Sequence, residues 1–347
     1  MYEVGKMPKL YEFELGKAAD VLVRELFKLK EGEEFVITAD TESDERVVDA
    51  TARAAFAAGA KPLVIYNASA LGVGKAADPM LPCETLAGAL TAADAWVEFN
   101  NEWIFYSNTY DRAIRGNKKL RYMCLVGMNA DMMVRCVGRV DYPVLEKFLA
   151  RISSLTVAAK EVHMTTPAGT DIRFTNRPGQ TPRYAMGYAD KPGVYMMAGQ
   201  IGWGILHETI NGKIVFDGSV NPPLGLLRQP IEMTIDKGDI VKIEGGKEAV
   251  EYEAWLRSFN DPNMIKVAHI CYGFNPGAKL TGDVVEDERI WGCTEWGIGH
   301  MAFRPAASHS DGICLNTSVW LDGKQILDKG KSIDPELAEL AKKLGKQ

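Results

Sequence analysis

The chain has 347 residues, 46% of them hydrophobic and 25% charged, with 33 glycines and 16 prolines; at roughly 150 residues per domain this makes about two domains with ample core, which excludes a disordered, collagen-like or disulfide-stapled chain. Lys and Arg number 40 against 46 Asp and Glu, a net charge of −6, and without clustered cations nucleic acid is not expected as a partner. Six scattered cysteines with no CxxC pair, no apolar leader in Met1–Leu10 and no window of 18 apolar residues argue for a reduced, cytoplasmic protein with no membrane partner.

In chain order, Leu15, Ala18, Ala19, Leu22, Leu26 and Leu29 recur at helical spacing, and Gly32 closes that helix. A short apolar run, Phe35–Thr38, precedes the acidic loop Asp40–Asp44. An Ala-rich helix over Val47–Ala58 leads to a second strand, Leu63–Tyr66. A helix near Glu84–Ala92 and strands at Ala95–Phe99 and Tyr122–Val126 follow. Short β-branched strands alternating with helices of 10–15 residues predict an α/β layered domain with a parallel sheet, assigned to residues 1–155.

After about residue 155 hairpin signals take over. Pro167-Ala168-Gly169-Thr170 joins Val162–Thr165 to Ile172–Phe174, and Asn211-Gly212 separates His207–Ile210 from Lys213–Phe216. Asp236-Lys237-Gly238-Asp239 and Asp322-Gly323-Lys324 repeat the pattern. Helices are expected only at Glu248–Ser258 and Pro335–Leu344, and Tyr142–Ser154 is expected to join the domains. Residues 156–347 therefore read as a mainly antiparallel β domain of the α+β kind that carries the chemistry.

No nucleotide fingerprint is present: Gly72-Val73-Gly74-Lys75 lacks the third glycine of a dinucleotide turn and the spacing of a P-loop, and reads as a plain loop. No G-x-S-x-G elbow occurs. All five histidines (His163, His207, His269, His300, His309) fall after residue 160. His309-Ser310-Asp311 is a candidate metal element, because residues i and i+2 of an extended segment point to the same side. His269 lies in the apolar run Lys266–Ile270, and Glu295 stands between Cys293 and Trp296; a buried ionisable group requires a partner or a metal. Two His and one carboxylate make a facial triad for Fe(II), and Glu295 would extend it to an N2O2 shell suited to Zn2+ or Mn2+ hydrolysis. A core histidine and a salt bridge from Glu295 to Arg289 or Arg304 are the alternatives. His207 or Glu208 could act as general base or form a surface hairpin pair, and His300, one turn from Glu295, could stand behind the ligands or be solvated. Trp203, Trp291 and Trp296 could stack on a flat substrate or fill the core.

The stretch His269-Ile270-Cys271-Tyr272-Gly273-Phe274-Asn275-Pro276-Gly277-Ala278 resembles the aminopeptidase T-type metallopeptidases, which carry a metal-binding Glu before a similar Gly-x-Asn-Pro turn. Asp287-Glu288-Arg289-Ile290-Trp291-Gly292 is similar to their Asp-Glu-Lys…Gly stretch, and Glu295 falls where they place a histidine ligand. His309-Ser310-Asp311 resembles their terminal His-x-Asp. The histidine at 269 instead resembles 2,5-dihydroxypyridine 5,6-dioxygenase, a mononuclear Fe(II) relative with His…His-x-Asp ligands and a Ser near the Glu295 position. The resemblance is clearest over residues 211–323. It implies a metal at His269, His309 and Asp311, and it places Gln200 where the peptidases have a metal-bridging Glu. A neutral amide bridges two cations poorly, which argues for one metal and puts Gln200 among the substrate-facing groups with Trp203 and Trp296. The dioxygenase also uses histidines behind its ligands, one of them in the first domain, where this chain has none.

The resulting expectation is a cytoplasmic homo-oligomeric metalloenzyme that holds one divalent ion (Fe2+, Mn2+ or Zn2+) at His269, Glu295, His309 and Asp311. Its substrate is expected to be a small cyclic or heteroaromatic compound, hydrolysed by metal-activated water. An Fe(II) ring-cleaving dioxygenase is the alternative, ahead of a peptidase or a non-catalytic binding protein.

Overall fold

The computed structural model describes residues 11–301 and 303–346; the Met1–Leu10 stretch read above for a leader lies outside them. Among the described residues no helix is long and apolar enough to cross a membrane. The chain forms two compact units, one running up to Arg139 and taking back Ala185–Ala198, the other made of Val140–Tyr184 and the chain from Gly199 onward.

The first unit is built on a five-stranded parallel sheet. Its order is Lys61–Asn67, Glu34–Asp40, Ala95–Glu98, Arg121–Cys124, Gly193–Met196. The Glu34–Asp40 strand is buried from Phe35 to Asp40, as a strand covered on both faces must be. Asp44 caps the helix Glu45–Ala57 by accepting from Arg46 N. The first helix, Tyr11–Asp20, does not run on as α-helix to Leu29; it continues as the wider π turn Val21–Leu26. The glycines at 72 and 74 lead into a 3-10 helix, Gly74–Met80, rather than a plain loop. The fifth strand comes from beyond residue 155, because Gly193–Met196 pairs with Arg121–Cys124. Nothing local to residues 193–196 signals this long-range addition.

The second unit holds two antiparallel sheets. The eight-stranded one runs Asp239–Gly245, Ile231–Asp236, Ile205–Phe216, Asp171–Asn176, Glu161–Thr165, Ser318–Leu321, Lys324–Asp328, Lys331–Ser332. The six-stranded one runs Gly225–Leu226, Ser219–Asn221, Arg304–Cys314, Cys293–Met301, Val267–Gly273, Gln200–Gly202. Phe174 of the first meets Trp203 and Trp296 at ring distances of 6.5 and 5.8 Å, so the core lies between the sheets. The helix Tyr142–Ala158 is no linker. It belongs to this unit, where Phe148 packs on Phe274 and Trp291 at 5.0 and 4.8 Å.

The hairpins at Lys237-Gly238 and Asp322-Gly323 form as expected, with φ of 50° and 82°, and 48° and 81°, the left-handed pair of a type I′ turn. Asn211-Gly212 does not turn at all. It lies inside the 12-residue strand Ile205–Phe216, paired on both sides. A Cβ on Gly212 would sit 2.2 Å from the Asp171 carbonyl oxygen, so this glycine serves a close backbone approach rather than a turn.

Candidate metal centre

Three neighbouring strands of the six-stranded sheet build the site. Antiparallel pairing sets Cys271 opposite Glu295 and Glu295 opposite Ile313 in one row. Two residues along, His269, Gly297 and Asp311 form the next row, and Gly299 pairs with His309. Alternate residues of a strand share a face, so His269, Cys271, Glu295, His309 and Asp311 converge on the same side. The central strand is bare where the imidazoles lie: a Cβ on Gly297 would fall 2.3 Å from Cε1 and 2.4 Å from Nδ1 of His269.

One ligand atom from each of His269, His309 and Asp311 lies within 4.8 Å of the other two. His309 Nδ1 donates to the His300 carbonyl at 2.9 Å, which fixes the ring and leaves Nε2 2.9 Å from Asp311 Oδ1. His269 Nε2 stands 3.5 Å from the same oxygen and 2.9 Å from Glu295 Oε1. The two rings lie nearly parallel, 14° apart with centroids at 5.0 Å. Burial alone would lower the pKa of each histidine, but the carboxylates overcome it: Glu295 holds His269 well above the usual range, and Asp311 raises His309. Burial raises Asp311 itself. Glu295 is fully buried, with Oε1 2.9 Å from His269 Nε2. Acidic oxygens and imidazole nitrogens this crowded are the chemistry of a cation site.

The trio fits one ion. Glu295 groups instead with His269 and Cys271, and among the described residues the four expected ligands do not form a single 4.8 Å group. Glu295 thus belongs to a second group that shares His269 with the first.

The other expected site residues have contacts of their own. His207, on the eight-stranded sheet, donates from Nε2 to the Ala268 carbonyl at 2.7 Å, and burial lowers its pKa; it braces the strand that carries His269. Glu208 is exposed on that sheet. His300 acts through its main-chain oxygen, while its ring Nδ1 sits 3.2 Å from Ala306 N. Trp203 and Trp296 are core residues: Trp203 donates to Asn176 Oδ1 at 2.8 Å, and Trp296, next to Glu295, points to the opposite face. Gln200 is tied up, donating to Glu288 Oε2 at 2.9 Å and accepting from buried Arg289 at 3.1 Å. Sequence reading passed over Cys271, Gly297 and Ser310. Ser310 stands between two ligands, donates to the Pro222 carbonyl at 2.6 Å and accepts from Tyr252 at 3.2 Å. The two-residue period on known strands would have found Cys271 and Gly297.

A family profile for 2,5-dihydroxypyridine 5,6-dioxygenase matches residues 20–334. A 2,5-dihydroxypyridine 5,6-dioxygenase of Pseudomonas putida is 28% identical over 201 residues, and the aligned stretch spans 53% of this chain and 57% of that enzyme. The solved structure of the 2,5-dihydroxypyridine dioxygenase from Pseudomonas putida matches with a TM-score of 0.74 at 21% identity, covering 94% of this chain and 99% of that one. Wild-type AmpT from Thermus thermophilus matches with a TM-score of 0.67 at 15% identity, over 93% of this chain and 100% of that one. At these identities the structural likenesses establish a common fold. Both families that the Asn-Pro and His-x-Asp stretches resemble are thus represented.

Proposed function

Since the chain belongs to the 2,5-dihydroxypyridine 5,6-dioxygenase family, we propose that it is a mononuclear, O2-dependent ring-cleaving enzyme for a small hydroxylated aromatic or heteroaromatic compound. The observation that carries this reading is the convergence of two imidazoles and one carboxylate, His269, His309 and Asp311, from two strands of one sheet face. This donor set suits Fe2+. When bound, the ion supplies Lewis acidity toward a ring hydroxyl and the redox chemistry that O2 requires.

The chain's own residues preset the donors. The His300 carbonyl accepts a hydrogen bond from His309 Nδ1 and so aims Nε2 into the site. Ser310, held by Pro222 and Tyr252, pins the strand between His309 and Asp311. His207 braces the Ala268 carbonyl one residue before His269. Gln200 presents a neutral amide engaged with Glu288 and Arg289, in place of a free carboxylate.

Hydrolysis was the first expectation, and it rested on Glu295 as a fourth ligand. Glu295 groups with His269 and Cys271 and not with His309 and Asp311, which weakens that support, and the family match favours oxygenation. An ion held by His269, His309 and Asp311 alone would keep more room for substrate and O2 than one that Glu295 also held. Turnover of hydroxylated pyridines and benzenes under 18O2 tests the proposal. Ring-opened product carrying label from 18O2 is expected; turnover under strict anoxia, with label entering only from water, would replace oxygenation by hydrolysis.

A further inference from the structure

The triad leaves one feature of this sheet face unexplained. Glu295 is fully buried, and the charged neighbour that meets it is the His269 ring, with Nε2 2.9 Å from Oε1. A buried carboxylate is costly unless a cation or donor meets it, and here one imidazole, shared with Asp311, does so. Cys271 stands directly opposite it across the strand pair, a free and buried thiol. On the far side of Cys271 the pairing residue is Gly202, where a Cβ would lie 3.1 Å from the sulfur. The sulfur thus has room that any larger residue at 202 would take. One ligand atom each from His269, Cys271 and Glu295 lies within 4.8 Å of the other two.

We propose that His269, Cys271 and Glu295 form a second metal-ligand set, specific for a thiophilic divalent cation such as Zn2+, which excludes an ion from the triad because both sets share His269. This rests on the reading of His269 as a metal ligand. The same ring nitrogen, Nε2, faces Glu295 Oε1 at 2.9 Å and Asp311 Oδ1 at 3.5 Å, and one lone pair serves one ion. The two sets differ in softness: two imidazoles and a carboxylate suit Fe2+ or Mn2+, whereas a thiolate, an imidazole and a carboxylate select Zn2+. Binding at the second set forms a metal–sulfur bond and releases the Cys271 thiol proton to solvent. Zinc then acts as an inhibitor that competes with iron for one imidazole, and its potency depends on a residue outside the triad.

The test is a titration of metal-free protein with Co2+, followed by Zn2+, read by near-ultraviolet absorption and metal analysis. The wild type is expected to bind one ion per chain and to show a thiolate-to-Co2+ charge-transfer band. Zn2+ should erase the band and reduce the iron the protein then retains. Cys271→Ser should lose the band yet still bind one Fe2+ per chain. Co2+ bound without a thiolate band, or two ions held at once, would overturn the second set and leave the triad standing. No ion bound by either protein would overturn the triad, and the second set with it. If Cys271→Ser fails to fold, the wild-type spectrum and stoichiometry alone decide.

Discussion

Gly297 and His269 occupy paired positions on neighbouring strands, and the imidazole fills the space that a side chain at 297 would need: a Cβ there would fall 2.3 Å from His269 Cε1 and 2.9 Å from Nε2. The contact is to a ring wedged between the Glu295 and Asp311 carboxylates, which has little freedom to retreat. Gly297→Ala should therefore displace a ligand while leaving the sheet paired. The expected outcome is a folded protein whose metal affinity falls at least about 10-fold. Metal content alongside circular dichroism checks this; undiminished affinity would show that the ring can move aside.

The triad itself makes a sharper statement. His269→Ala, His309→Ala and Asp311→Ala should each remove most of the bound ion, whereas Glu295→Gln should keep one Fe2+ per chain, because Glu295 groups with His269 and Cys271 and not with the other two ligands. Iron analysis of the four variants reads this directly. Full stoichiometric metal in all three alanine variants would falsify the triad.

The contrast between these residues marks what the sequence could reveal. His309 and Asp311 were legible as a pair because i and i+2 on a strand share a face by local geometry alone. That His269 would join them depended on register between strands that the sequence does not state, and only the resemblance to known families pointed there. The same parity, applied to Glu295-Trp296, turns the tryptophan into the core, so a residue beside the site in sequence is remote from it in space. Asn211-Gly212 failed for a related reason: its local turn preference lost to ladders on both sides of a 12-residue strand. Local chemistry carried the type I′ turns at 237–238 and 322–323, whose long-range bonds, such as Gly238 N to the Ile210 carbonyl and Asp322 N to the Glu161 carbonyl, agree with the turn geometry.

The first unit contains its own titrating group. Glu98, fully buried at the end of the Ala95–Glu98 strand, accepts from Tyr122 and Ile104 N, and burial pushes its pKa up to about 7. An acid raised in this way keeps its proton in the folded chain while the unfolded chain loses it near pH 4.5. Stability should therefore fall as pH rises from about 4.5 to about 7, by about 3 kcal/mol, and then level off. Glu98→Gln, whose amide can still meet both partners, should flatten that dependence. Denaturant midpoints measured across the range decide it, and an unchanged slope in the variant would assign the effect to another group.

Gln200 supplies the last prediction. In the peptidase pattern a carboxylate at this point bridges two metals. Here the amide nitrogen donates to Glu288 Oε2 at 2.9 Å, and the amide oxygen accepts from Arg289 at 3.1 Å, while Arg289 also reaches Glu288 at 3.0 Å. The three side chains close a ring in which a neutral donor is required, because a second carboxylate would face Glu288 without a proton between them. Gln200→Glu should thus destabilise the fold by about 1–3 kcal/mol, the cost of losing one buried hydrogen bond and adding a repulsion. The wild-type, metal-loaded protein should not cleave unblocked di- and tripeptides, since it offers no bridging carboxylate at Gln200 to hold a second ion. Rapid peptide cleavage, or two ions per chain with Gln200 in place, would show that another carboxylate performs the bridge and would return this chain to the hydrolytic side of its fold.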